Sequence, residues 1–252
     1  MNTDDPLPTW DFLSGEILLV NKPTGWTSFD VVNKIRHKLR KVLSVRKIKV
    51  GHAGTLDPIA TGLLIIATGK ATKQLHQLQG LPKEYEGTLV LGATTPSYDA
   101  ETEIDQEYDW AHITLKQLEG ARKQFIGQIE QVPPLFSAIK VDGQPLYKRA
   151  RRGEQVEVQP RQVTIYEFEL TRLALPEVYF RVVCSKGTYI RALAHDFGRA
   201  LGSGAYLRAL RRTAVGPYRI ENAWQLDTLI NALDSLRADA LPSEYEQKHR
   251  SV

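Results

Sequence analysis

Along the chain, short apolar runs and helical repeats follow one another in an irregular order. Glu16-Ile17-Leu18-Leu19-Val20 reads as a buried strand, closed by the turn-forming Asn21-Lys22-Pro23-Thr24-Gly25. Thr27 and Ser28 are suitable N-caps for a helix whose apolar side carries Val31, Val32, Ile35 and Leu39. Basic and apolar residues then alternate from Val45 to Val50, as in a half-buried strand. Leu63 to Ala67 forms a second buried strand, and Ala71 to Leu78 a short helix.

Tyr85 to Gly92 is strand-like, and Leu115, Leu118, Ala121 and Phe125 keep helical spacing. Pro133-Pro134 breaks the chain before a short strand at Ser137 to Val141, and Gly143 to Gly153 reads as a turn with a basic helix. Val163 to Thr171 and Val178 to Ser185 are neighbouring strands rich in β-branched and aromatic residues. A helix over Thr188 to Leu201 is followed by Gly202 and Gly204, and an amphipathic helix over Trp224 to Leu236 precedes a polar tail. Residues 1–14 read as a loosely ordered leader. The irregular alternation implies an α+β fold, with a mixed, mainly antiparallel sheet flanked by helices. No repeat or low-complexity linker marks an internal boundary.

The formal net charge is only +4, but it is unevenly spread. Between Val31 and Val50 lie eight basic residues and no acid: Lys34, Arg36, Lys38, Arg40, Lys41, Arg46, Lys47 and Lys49. Lys140, Lys148, Arg149, Arg151 and Arg152 form a second group; Lys186, Arg191, Arg199, Arg208, Arg211 and Arg212 form a third. Acids gather at Asp99, Glu101, Glu103, Asp105, Glu107 and Asp109. One such run is ordinarily a solvated face. Three of them point to a nucleic-acid partner.

Several classes are disfavoured. Cys184 is the single cysteine, so neither an intramolecular disulfide nor a cysteine-based zinc cluster is available, and no HExxH pair supports a metal site. Met1 to Trp10 has Asp4 and Asp5 and no apolar signal core, and no apolar run approaches the ~18 residues of a membrane span. Cytoplasmic residence and a monomer are the default expectations.

Chemistry concentrates in Gly51-His52-Ala53-Gly54-Thr55-Leu56-Asp57-Pro58. The glycines permit turns that a side chain would hinder, and Pro58 biases Asp57 toward extended backbone. No P-loop lysine, GxSxG elbow or GxGxxG accompanies the loop. What remains is a carboxylate able to act as base, nucleophile or ligand, although an Asp before Pro is by itself most often a turn residue.

GHAGTLDPIATGLL closely resembles the catalytic motif of the bacterial tRNA pseudouridine-55 synthase (TruB) family. The likeness extends over about residues 15 to 222. It runs through NKPTGWTS (Asn21 to Ser28), KEYEGTLVLGATTPSYDAE (Lys83 to Glu101), PPLFSAIKVDGQPLYKRARRG (Pro133 to Gly153), CSKGTYIRALAHDFG (Cys184 to Gly198) and LRRTAVGPY (Leu210 to Tyr218). The resemblance implies the pseudouridine synthase catalytic fold. It also implies an isomerase, free of cofactor and metal, that turns uridine-55 of the tRNA T loop into pseudouridine. An alternative is a tRNA-binding or tRNA-folding protein acting independently of catalysis.

By that resemblance Asp57 is the catalytic aspartate, which either stabilises or traps the sugar or removes a ribose proton to give a glycal. Arg191 matches the arginine that pairs with it; a guanidinium nearby favours the ionised carboxylate and orients it. Asp99 matches an acid of the same network, and equally fits an exposed acidic loop. Tyr85 matches the aromatic that stacks on the target base, although a lone strand tyrosine is more often core. His52 would hold the opened RNA loop, Lys22 and Lys73 would contact phosphate or the loop, and Leu210 would close the apolar side of the base pocket.

Two departures stand out. Many relatives carry a C-terminal RNA-binding PUA domain, whereas residues 223–252 offer one helix and a tail, so a PUA-less form with fewer contacts beyond the T arm is expected. Ala53 stands where many relatives have threonine.

Overall fold

A computed structural model describes residues 9–137, 139–141, 143–150, 152–154 and 156–236. Part of the expected leader, Arg151 of the second basic group and the polar tail lie outside them.

In chain order the elements are β1 (Ile17–Lys22), α1 (Ser28–Val42), β2 (Val50–His52), β3 (Thr61–Thr68), α2 (Leu75–Gly80), β4 (Lys83–Leu91), β5 (Ala93–Thr94), β6 (Gln106–Glu107), α3 (Leu115–Gln124) and β7 (Gly127–Gln131). There follow β8 (Lys140–Val141), β9 (Gln144–Pro145), α4 (Leu146–Ala150), β10 (Arg161–Ala174), β11 (Glu177–Cys184), α5 (Ile190–Ala200), β12 (Ala205–Val215), β13 (Tyr218–Arg219), β14 (Trp224–Gln225) and α6 (Leu226–Asp234). The fold is α+β, and its strands pair mainly antiparallel. They group into two compact units, residues up to Gly80 with those from Ala214 onward, and Leu81–Thr213.

In unit one, β1 lies between β3, its antiparallel partner, and β14, which runs parallel to it; β2 pairs with β3. Thr27 caps α1 through a reciprocal box: its hydroxyl accepts from the Asp30 N–H while the Asp30 carboxylate accepts from the Thr27 N–H. Val31, Val32, Ile35 and Leu39 on α1, Val20 and Leu64 on the strands, and Leu229 and Leu233 on α6 build the core. Residues 9–14 correct the expectation of a loose leader. Phe12 is buried, and Trp10 meets Phe12 and the edge of Trp224 at ring-centroid distances of 5.3 and 5.8 Å. Two aromatic side chains remove enough apolar surface from water to dock so short a segment.

Val45 to Val50 is also corrected. Ile48 and Val50 are buried between exposed lysines, as the alternation implies, but ladder pairing begins only at Val50. Upstream, the chain is leaving the C-cap of α1 through Ser44, which has a φ of 53°.

In unit two the strand order is β12-β4-β11-β10-β7, with β11 antiparallel to β4 and β10, and β10 antiparallel to β7. α3 and α5 supply Leu118, Ala121, Leu193 and Phe197; Phe168 of β10 sits edge-on to Phe180 and Phe197. β7 and β12 are additions to the sequence-based reading.

Candidate active site

The loop bearing Asp57 is fastened on both sides of that residue. Before it, the Ser28 hydroxyl accepts from the Leu56 N–H at 2.8 Å and donates to the Leu56 carbonyl at 3.2 Å. After it, the Pro58 carbonyl accepts from the Gly25 N–H at 2.8 Å and from the Lys22 ammonium at 3.4 Å. The Ala60 N–H closes a turn onto the Asp57 carbonyl at 3.1 Å. Gly54, with a φ of +94°, makes the bend that a side chain would oppose. Gly51, unlike Gly54, does not adopt a positive φ; a Cβ there would come within 2.7 Å of Leu75 Cδ1, the movable end of a side chain. The Asp57 side chain, half-buried, thus projects from a backbone with little freedom.

Ser28→Ala tests this buttress. It would leave the Leu56 N–H and carbonyl without their hydroxyl partner, costing about 2 kcal/mol of stability. A lowered denaturation midpoint with unchanged m-value is the expected readout.

Lys22 is placed differently from the sequence-based expectation. It is fully buried, and its ammonium donates to the carbonyls of Pro23 at 3.0 Å and Trp26 at 2.6 Å as well as Pro58. A lysine spent on loop carbonyls cannot also meet a phosphate in solvent; its role here is to tie the Asn21–Ser28 motif to the Asp57 loop. Lys73 is exposed on the short 3-10 helix Gly69–Gln74. His52 ends β2, half-buried, with its backbone carbonyl accepting from Gln79 at 3.4 Å.

Unit two brings Asp99 and Arg191 together. Asp99 is fully buried, which rejects the exposed-loop alternative, and its Oδ2 lies 3.5 Å from Arg191 Nε. Its Oδ1 accepts from the Ser97 hydroxyl at 2.5 Å and the Glu101 N–H at 3.0 Å. Arg191, in the first turn of α5, also donates to the Ser97 carbonyl at 2.9 Å and the Phe136 carbonyl at 2.8 Å. The guanidinium is therefore a fixed, buried cation. Phe136 was not singled out from sequence, because a backbone acceptor leaves no residue-type signal; Ser97, which also donates its hydroxyl to Asp99, was one small polar residue in a polar loop.

Tyr85 lies on β4 opposite Val182, with 8% of its surface exposed, and Leu210 on β12 is equally buried. Two residues before Tyr85, on the same strand face, Lys83 is buried too. Burial, reinforced by the Arg212 cation, pulls its ammonium down from 10.5 to about 8. The unfolded chain then binds more protons between those values, so stability rises with pH across that window; below it the penalty of the buried ammonium is fully present and Lys83 adds no pH dependence. The wild type should gain roughly 2 kcal/mol over Lys83→Met between about pH 8 and 10, read from urea melts at each pH.

Of the basic groups, Lys34, Arg40, Lys41, Arg46, Lys47 and Lys49 in the first, and Lys186, Arg199, Arg208 and Arg211 in the third, are exposed. Arg191 and Arg212 are buried and belong to the interior. Burial drives the Cys184 thiol up to about 11, making it an inert core residue. Among the described residues, no group of three or more His, Cys, Asp or Glu is placed to hold a metal ion, and no helix is long and apolar enough to cross a membrane.

The family profile described as TruB family pseudouridylate synthase, N-terminal domain, matches residues 40–190, and the profile for the tRNA pseudouridylate synthase B C-terminal domain matches 191–246. The chain belongs to the TruB family. A relative from Flavobacterium johnsoniae named tRNA pseudouridine synthase B is 58% identical over 214 residues, covering 84% of this chain and 93% of that protein. Another of the same name, from Phocaeicola vulgatus, is 54% identical and covers 93% of this chain and 100% of the relative.

Among solved structures, a chain of a Cbf5–Nop10–Gar1 complex is similar with a TM-score of 0.69 at 29% identity, over 98% of this chain and 64% of that one. A chain of an H/ACA RNP bound to a substrate RNA containing 2'-deoxyuridine gives 0.64 at 26% identity, over 97% of this chain and 65% of that one. This TruB-family chain thus spans just under two thirds of each. The N-terminal profile contains Asp57, Tyr85 and Asp99, and the C-terminal one begins at Arg191.

Proposed function

We propose that this TruB-family chain isomerises uridine to pseudouridine in tRNA, at position 55 of the T loop, with Asp57 as its essential carboxylate. The observation that carries the reading is the Asp57 loop, fastened at Leu56 by Ser28 and at Pro58 by Gly25 and Lys22. A carboxylate held on so constrained a backbone is preorganised, and preorganisation is what a reaction at one sugar carbon requires. Relatives over nearly the full chain carry the name tRNA pseudouridine synthase B, which supplies the substrate class.

The reaction breaks the bond from ribose C1′ to uracil N1, turns the detached base and joins C1′ to C5; C5 loses its proton and N1 gains one, so the composition is unchanged. Asp57 serves it either by adding to C1′ or by removing a ribose proton; an ionised carboxylate suits both. By the family likeness Tyr85 is the aromatic that stacks on the base, Leu210 lines its apolar side and Arg191 is the arginine of the catalytic network. His52 and Lys73 hold the opened loop. A uridine stacked in RNA is out of reach, so the base is extruded at about a few kcal/mol, offset by stacking and phosphate contacts. Asp99, which anchors Arg191, has an indirect part.

The test is release of tritium from unmodified tRNA carrying [5-³H]uridine. Catalytic amounts of purified protein should release it with no added metal or cofactor. No release from correctly folded tRNA would reject the isomerase.

A further inference from the structure

Beside the Asp99–Arg191 pair lies an arrangement for which no role has been given above. Tyr98 and His195 stack almost face to face, with ring centroids 3.9 Å apart and planes inclined by 13°. Tyr98 adopts a φ of 63°, in the left-handed region that a residue with a bulky side chain rarely visits. Such a conformation persists only where its surroundings hold it.

The surroundings are explicit. The Tyr98 N–H bonds to the Thr95 carbonyl at 3.0 Å, and its carbonyl accepts from the Leu207 N–H at 2.9 Å; the next bond, from the Ala100 N–H to the Leu207 carbonyl, is 3.0 Å. Tyr98 thus separates two groups that address one guanidinium: the Ser97 carbonyl before it and the Asp99 carboxylate after it. His195 follows Arg191 by four residues on α5, so both project from the same helix face. One turn of that helix therefore meets the segment from Ser97 to Asp99 twice, through the guanidinium and through the stacked ring.

His195 Nδ1 is buried and makes no hydrogen bond among the described residues, so the ring acts here as a plate. Burial, with the Arg199 cation nearby, lowers its pKa, which keeps the plate neutral.

We propose that Tyr98 and His195 are positioning residues: their stack clamps the Ser97–Asp99 turn onto α5 and thereby fixes the Arg191 guanidinium for the reaction. The inference rests on the role given to Arg191 under the proposed function. It assigns the stack to turnover, not to RNA affinity, because neither ring is needed to touch the substrate.

Three variants of the full chain test it. His195→Ala should lower kcat by about tenfold with KM for tRNA within about twofold, as expected for a displaced catalytic group. His195→Phe, which keeps a flat ring, should return kcat to near the wild-type value. Tyr98→Gly tolerates the left-handed backbone but removes the other ring, and should match His195→Ala; the double variant should lose no more than either single one.

Hydrogen exchange supplies a readout independent of activity. The amides of Tyr98, Ala100 and Leu207 should exchange faster in His195→Ala and at the wild-type rate in His195→Phe. Wild-type kcat in His195→Ala, failure of phenylalanine to rescue, or additive losses in the double variant would overturn the clamp. If the wild type itself released no C5 hydrogen, the function proposed above would fall, and the exchange comparison alone would decide the stack.

Discussion

Asp57→Asn is expected to reduce pseudouridine formation by about 10³-fold or more while leaving tRNA affinity within about twofold. The substitution keeps the size of the side chain and removes its charge. The substitution leaves in place the bonds made by the backbone of Leu56, Pro58 and Asp57 and by the side chains of Ser28 and Lys22, so the loop itself should persist. An amide can neither add to C1′ as a carboxylate does nor take up a ribose proton. Single-turnover kinetics with equilibrium binding of the same tRNA separates the two effects. A variant with wild-type rate would remove Asp57 from the mechanism. Rescue of tRNA folding by the inactive variant would reveal an activity of the scaffold separate from isomerisation.

The second large effect is on stability. Asp99→Ala removes the carboxylate beside a guanidinium that is only 3% exposed, together with the acceptor of the Ser97 hydroxyl and the Glu101 N–H. Breaking a buried pair from one side takes that carboxylate away from a charge held out of water, at a cost of about 3–5 kcal/mol. Against a typical stability of about 5–15 kcal/mol, that corresponds to a melting temperature lower by roughly 10 °C. Arg191→Met should be costly as well, and combining the two should cost less than the sum, because the second change removes the charge that the first left exposed to the interior. Strict additivity in urea melts would show that the two groups do not depend on each other.

Much of this was legible in the sequence, for physical reasons that differ by element. α1 and its cap could be read because Thr27 and the spacing of Val31, Val32, Ile35 and Leu39 obey local rules. β1 and β3 could be read because their apolar runs, Ile17 to Val20 and Leu63 to Ala67, are unbroken. β12 could not: Arg208, Arg211 and Arg212 break its alternation, and Arg212, although a cation, is 1% exposed. Lys22 failed for the same reason. A lysine after a turn-forming asparagine reads as surface, and only the tertiary fold reveals the carbonyls that hold its ammonium.

Of the candidate site, Asp57 emerged from a constrained loop and a family motif, and the structure adds the fastenings that make the constraint physical. Asp99 was ambiguous because an acid among five others looks solvated; its burial beside Arg191 depends on residues almost a hundred positions apart, which no local pattern encodes.

The most direct test of the central claim is to map pseudouridine in an unmodified tRNA before and after incubation with the purified wild-type chain. The expected result is a new pseudouridine at position 55 of the T loop, and none when Asp57→Asn replaces the wild type. Modification confined to other positions, or no modification at all, would contradict it.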